Sequence, residues 1–216
     1  MPAIALTSLI FCAPMAILGY GPTHDFAFHV GNWMEVAQQW RSGILMPQWA
    51  AQANYGYGDP RFIFYPPLSW ITGAILGLLF PWKVVPALFV MLALTTAGAS
   101  MFLLAREWLP QRYAVLAAVI YVANPYEVML VYKRMAAAEM LASAIFPLLL
   151  LLTLRVCFRR NAIVPLAAIY AAIWLTNAPS AVIASYSVAF VLITAAAYYR
   201  NLRPLLQGGI SLLLGF

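Results

Sequence analysis

The chain has 216 residues, of which 65% are hydrophobic and 8% charged, with a formal net charge of +6; its mean hydropathy is +0.87. Soluble domains carry about 25% charged residues, so this composition excludes a water-soluble globular protein and predicts one integral to a membrane. The positive balance is not a nucleic-acid footprint, because the basic residues fall mainly in short loops between apolar runs, where they set orientation.

The apolar runs are continuous. Runs of ~20 apolar residues satisfy their own backbone as helices, and the ~10-residue alternating strands of a membrane barrel do not occur. The fold class is therefore all-α: a polytopic membrane helix bundle of about 6–8 hydrophobic helices, with residues 1–216 as one transmembrane domain and the lipid bilayer as its first partner. Cys12 and Cys157 lie in or at the end of apolar runs, and their spacing suggests neither a disulfide framework nor a metal site.

Residues 2–20 form the first span. No basic residue precedes them, so they read as an uncleaved anchor, which Pro14 is placed to kink. The long polar interval 21–66 follows. It holds three of the six acidic residues (Asp25, Glu35, Asp59), both histidines and ten aromatics. A loop of this length is functional or disordered, and its aromatic content argues against disorder. Thr23 can cap a helix running to about Ser42, with Gly43 as its stop. Phe26, Val30, Trp33, Ala37 and Trp40 share one apolar face, and Asp25, His29, Asn32 and Gln39 fall on the neighbouring polar face. A helix divided in this way lies along a membrane surface or packs on spanning helices. Pro47, Trp49, Gly56, Gly58 and Pro60 then mark an irregular, aromatic-lined return.

Residues 66–80 are apolar but short for a span; residues 84–105 are long enough. A basic turn from Arg106 to Arg112 leads to the apolar run 113–123, which Asn124-Pro125-Tyr126 interrupts. A second polar interval carries Glu127, Lys133, Arg134 and Glu139. Residues 140–154 span and close on Arg155, Arg159 and Arg160; 162–176 and 178–199 give two more spans, followed by Arg200 and Arg203. The stop at Phe216 inside an apolar run predicts the front part of a longer protein.

Orientation poses a parity problem. If every run crosses with the long loop outside, Arg106, Arg112, Arg155, Arg159, Arg160, Arg200 and Arg203 all lie outside, against the positive-inside tendency. Inverting the protein is one repair. The other, preferred here, lets residues 66–80 dip in and return without crossing. Those arginines then become cytoplasmic, and the intervals 21–66 and 124–139 share the extracytoplasmic face of the cell membrane with every acid except Glu107.

Asp25 is the sharpest candidate for chemistry. It sits just past the first span, with His29 one turn on, and can act as a general base or hold a divalent cation by oxygen ligation; the plainer role is a helix-start acid that complements the macrodipole. His24, Asp25 and His29 also suggest zinc, although no further His or Cys joins them. Glu35 solvates the helix, and Asp59 is a turn residue. Lys133 and Arg134 suit a lipid-linked phosphate, Arg as a fork and Lys as a point charge, or snorkel to headgroups. Glu139 opens an apolar span, where an acid is costly; the plain alternative is an ion pair with Arg134 or Lys133. The tyrosines and tryptophans, Tyr57 and Tyr65 among them, either form an interfacial belt or stack on a sugar ring.

These pieces combine into a pattern. His24-Asp25-Phe26-x-x-His29, Trp40-Arg41-Ser42-Gly43 with Pro47-x-Trp49, Gly56-Tyr57-Gly58-x-Pro60 and Phe64-Tyr65-Pro66-Pro67-Leu68 resemble a family of multi-spanning bacterial and archaeal proteins, the 6-pyruvoyl-tetrahydropterin synthase-related membrane protein domain. Asn124-Pro125-Tyr126 through Arg134-x-x-x-x-Glu139 to Pro147-Leu148 resembles it too, so the likeness covers most of residues 20–150. It does not extend to a pterin synthase activity, which belongs to a soluble zinc enzyme with a three-histidine site; this chain has two histidines. The wider arrangement is similar to the GT-C superfamily of glycosyltransferases, which use an acid in a large first outer loop and take a sugar from a polyprenyl-phosphate carrier with inversion. That likeness implies Asp25 as the acid, Arg134 and Lys133 against the carrier phosphate, and Glu139 orienting Arg134 or assisting a metal. His29, Tyr57 and Tyr65 then belong to the substrate side. Many members pair two acids in the first loop, whereas here His24 precedes a lone Asp25. The alternatives are a non-enzymatic protein that binds, moves or scaffolds lipid-linked glycans, and an inactive truncated remnant.

Overall fold

The computed structural model describes residues 1–21, 23–158 and 161–216. Arg159 and Arg160, counted above with the basic turns, lie outside the described residues. Helices make up the chain, and among the described residues the only bridge of β type joins Ala50 to Asp59. In order they are α1 (Pro2–Leu18), α2 (Phe26–Arg41), α3 (Arg61–Phe64), α4 (Pro67–Leu79), α5 (Val85–Ala105), α6 (Gln111–Val122), α7 (Pro125–Met129) with a π-helical turn (Leu130–Arg134), α8 (Ala137–Cys157), α9 (Ile163–Trp174), α10 (Ala178–Tyr199) and α11 (Arg203–Gly215). Four helical stretches are long and apolar enough to cross a membrane: α5, the run Gln111–Arg134, α8 and α10. Helices α1, α4 and α9 are apolar but shorter.

The contacts sort the connections to two ends. At one end the Tyr20 hydroxyl, just past α1, donates to the Lys83 carbonyl (2.7 Å) and accepts from the Ala87 N–H (3.3 Å) at the start of α5. Ile4, at the opposite end of α1, lies against Gly98, far along α5. So α1 and α5 run antiparallel. The Leu68 N–H, at the start of α4, bonds the Leu175 carbonyl, just past α9 (2.7 Å). At the other end Arg155 pairs with Glu107, and residues 156–158 share a crevice with Tyr199, Asn201 and Arg203. Arg106, Arg112, Arg155, Arg200 and Arg203 thus collect at one end. Helix α4 begins and ends at the other. It is one unbroken 13-residue helix, about 20 Å long, so residues 66–80 do not dip and turn back within themselves; they pack along α2.

The first-loop helix departs from expectation at two points. Its N-cap is Asp25, not Thr23, because the chain before it is engaged elsewhere: the N–H groups of His24 and Asp25 bond to carbonyls of the π turn. Its C-terminus behaves as expected, with Gly43 at φ +87°, a left-handed position that glycine adopts without steric cost. Glu35, expected to solvate the helix, is instead buried. His29, Asn32 and Glu35 are buried together with Trp33, Val36 and Ala37, while Phe28 and Met34 are exposed. The cause is that two surfaces close on α2. Trp33 stacks on Phe89 of α5 with centroids 4.6 Å apart and lies over Gly73 of α4; on the adjoining side the return loop folds back on Asn32 and Glu35.

Candidate functional site

The site forms where α7 ends. Pro125 occupies the first turn of α7, and the Asn124 side chain caps it, accepting the Tyr126 N–H (2.9 Å) and the Glu127 N–H (3.1 Å). The helix then widens into the π turn and stops at Met135, whose φ is +52°. A π turn frees carbonyls from the regular ladder and is frequent at functional sites. Here the freed groups take up the first loop: the Asp25 N–H donates to the Arg134 carbonyl (2.8 Å) and the His24 N–H to the Lys133 carbonyl (3.3 Å). Residues 109 positions apart in sequence are thereby clasped through main chain. Two residues into α8, the Glu139 carboxylate accepts from Arg134 Nη1 at 2.8 Å and from the Tyr126 hydroxyl. His24 Nδ1 lies 2.7 Å from Asp25 Oδ1 and is well exposed.

Tyr65 belongs to the same neighbourhood. Burial raises its phenol above the ordinary value, and the carboxylates of Asp25 and Glu139 push the same way. His29 stands behind it. The imidazole is 3% exposed, edge-on to Phe28 and Tyr65, and desolvation lowers its pKa to about 4 against the opposing pull of Asp25. It is neutral at physiological pH and supports Tyr65 from the rear. The Lys133 side chain is exposed. Tyr57 does not join the group: it is 86% exposed, on a turn where Asn54, Tyr55, Gly56 and Gly58 all have positive φ.

The return loop is held by two residues read from sequence as a solvated acid and a turn acid. Glu35 is buried and accepts from the N–H groups of Ala51 (3.1 Å) and Gln52 (3.2 Å) and from the Gln39 amide (2.9 Å). Asp59 is bound by the Arg61 fork at 2.6 and 2.7 Å, which holds its carboxyl below the usual range. Arg61 also donates to Asn32 (2.9 Å) and sits over the Phe28 ring. Arg61 was not singled out in the sequence; its closeness to Asp59 in a Gly/Pro-rich turn was the available signal.

A groove of about 760 Å³ opens beside Glu139, between α5, α6, α8 and α10. Tyr126, Glu127, Asn124 and Ser143 line its polar part, and Ile120, Phe146 and Ile183 its apolar part. A second cavity of about 440 Å³ shares Met101, Tyr121 and Phe146 with it and runs on to Thr153 and Val191. Glu127, named in the sequence only as part of a polar interval, is 2% exposed. Its signal was position: an acid inside a run apolar enough to span.

Among the described residues no group of three or more His, Cys, Asp or Glu side chains converges; both Glu139 oxygens already accept from protein donors, and His29 is turned into the core. His24, Asp25 and His29 therefore do not form a zinc set. No family model matches the chain, and no curated protein and no solved structure matches it.

Proposed function

We propose that the chain is a GT-C-like glycosyltransferase that moves a sugar from a polyprenyl-phosphate carrier at the outer face of the cell membrane. The observation that supports this reading is the main-chain clasp between Asp25 and Arg134, which brings the backbones of an acidic and a basic residue together. Six crossings fit the alternation of ends: α1, α5, the run Gln111–Arg134, α8, α9 and α10. The arginine-rich end is then cytoplasmic, as the positive-inside tendency asks, and the loop 21–66 extracytoplasmic.

In this reaction the acceptor hydroxyl attacks the anomeric carbon and its proton passes to the Asp25 carboxylate. The bond from that carbon to the phosphate oxygen breaks, and polyprenyl phosphate leaves with the electron pair. Arg134, oriented by Glu139, and Lys133 stabilise the charge that develops on the leaving phosphate. The apolar groove accommodates part of the prenyl chain. Asp25→Asn should lower turnover about 10³-fold, in the range of a lost general base, while leaving donor binding within twofold. Arg134→Gln should weaken donor binding as well as turnover. Full turnover by Asp25→Asn would remove the base and with it the mechanism.

A further inference from the structure

The transferase reading gives Glu127 no role, yet its setting is that of a ligand contact. It lies in a helical run apolar enough to cross a membrane, where an ionisable side chain is costly and marks function. One carboxylate oxygen accepts from the Ser143 hydroxyl at 2.8 Å. The other, Oε2, is buried and accepts from no described residue. An unmet buried acceptor costs about 1–3 kcal/mol, so a missing donor is expected at that position.

The groove limits what the donor can belong to. It is about 760 Å³ with largely apolar walls, far more space than the ~30 Å³ that one water takes. An aliphatic body fits these walls. Glu139 lines the mouth of the groove and pairs with the Arg134 guanidinium, which on the transferase reading meets the phosphate of the head. A phosphate oxygen cannot satisfy Glu127, since both are acceptors; a hydroxyl can.

We propose that this groove binds an anionic lipid whose head carries a hydroxyl, and that the hydroxyl donates to Glu127 Oε2. The phosphate half rests on the transferase reading; the hydroxyl half rests on the groove and the unmet oxygen alone. Two sources share this chemistry, a prenyl-phosphate-linked sugar and a bilayer phosphatidylglycerol.

Lipid retention by the purified protein, read by native mass spectrometry, tests it. Two matched pairs are offered: phosphatidylglycerol against phosphatidylethanol, and a polyprenyl-phosphate hexose against methyl polyprenyl phosphate. Within each pair the charge and chains are the same and only the hydroxyls differ. The wild type should prefer the hydroxylated member about tenfold in at least one pair, the scale of one hydrogen bond to a carboxylate, and the pair that responds identifies the source. Glu127→Leu should abolish that preference while still binding the hydroxyl-free member. This variant strands no partner, because the Ser143 hydroxyl also lies 2.9 Å from the Met140 carbonyl. Ile183→Trp, at a groove position 60% exposed, leaves Glu127 intact and should exclude both members. No preference in either pair, or a preference that survives Glu127→Leu, overturns the proposal, as does unchanged retention in Ile183→Trp. Asp25→Asn retaining full transfer would sink the transferase reading without altering any of these ratios.

Discussion

Acidification should loosen the packing of α2 through a single imidazole. His29 titrates at 6.5 when exposed and at about 4 in the folded protein, chiefly because burial removes it from water. As pH falls past 6.5 the unfolded chain takes up the proton and the folded chain does not. The contribution is therefore fully present above pH 6.5, is lost progressively down to about pH 4, and changes no further below that. At about 1.4 kcal/mol per pH unit, the loss across this window is about 3 kcal/mol. Asp25 opposes the shift, so the comparison must be with a variant that keeps every carboxylate. His29→Phe fills the same space between Phe28 and Tyr65 with a ring that cannot ionise. Thermal unfolding of the purified protein in detergent, at steps from pH 7 to pH 4, should show the wild type losing roughly 5–10 °C more than His29→Phe. Parallel curves for the two proteins would show that His29 is solvated in the folded state, and the buried α2–Tyr65 contact would be wrong.

Other consequences follow from the packing. A Cβ at Gly73 would enter the Trp33 ring, so Gly73→Ala should destabilise by about 1–3 kcal/mol, read as a lower melting temperature with Trp33 fluorescence altered. Glu35→Ala removes the acceptor of the Ala51 and Gln52 N–H groups; limited proteolysis should then cut within residues 44–60 at least several-fold faster, with the membrane helices left whole. Asp25→Asn and Arg134→Gln should separate turnover from donor binding, as described above.

The membrane-helix architecture was legible in the sequence because hydropathy reports it directly: α5, α8 and α10 coincide with apolar runs read there to within a few residues. The first-loop helix was legible in its period but not in its surroundings. Glu35 read as an acid that solvates the helix, whereas the return loop supplies backbone N–H groups to it and Arg61 to Asn32, a tertiary fact that no local period encodes. Thr23 looked like a cap by residue type; Asp25 became the N-cap because the preceding N–H groups bond to the π turn. The convergence of Asp25 with Arg134 could be proposed from motif and counting alone. The clasp that makes it depends on a π turn and a left-handed Met135 that nothing local in the residues announces.

Sidedness is the most direct measurement of the central claim. Cys12 and Cys157 are buried and can be replaced, leaving single cysteines introduced by His24→Cys, Lys133→Cys, Arg106→Cys and Arg200→Cys, all at exposed positions. A membrane-impermeant thiol reagent applied to intact cells should label the first two and reach the last two only after the membrane is opened. Labelling of His24→Cys and Lys133→Cys from opposite sides of the bilayer would contradict the shared site and end the case for transfer at the outer face.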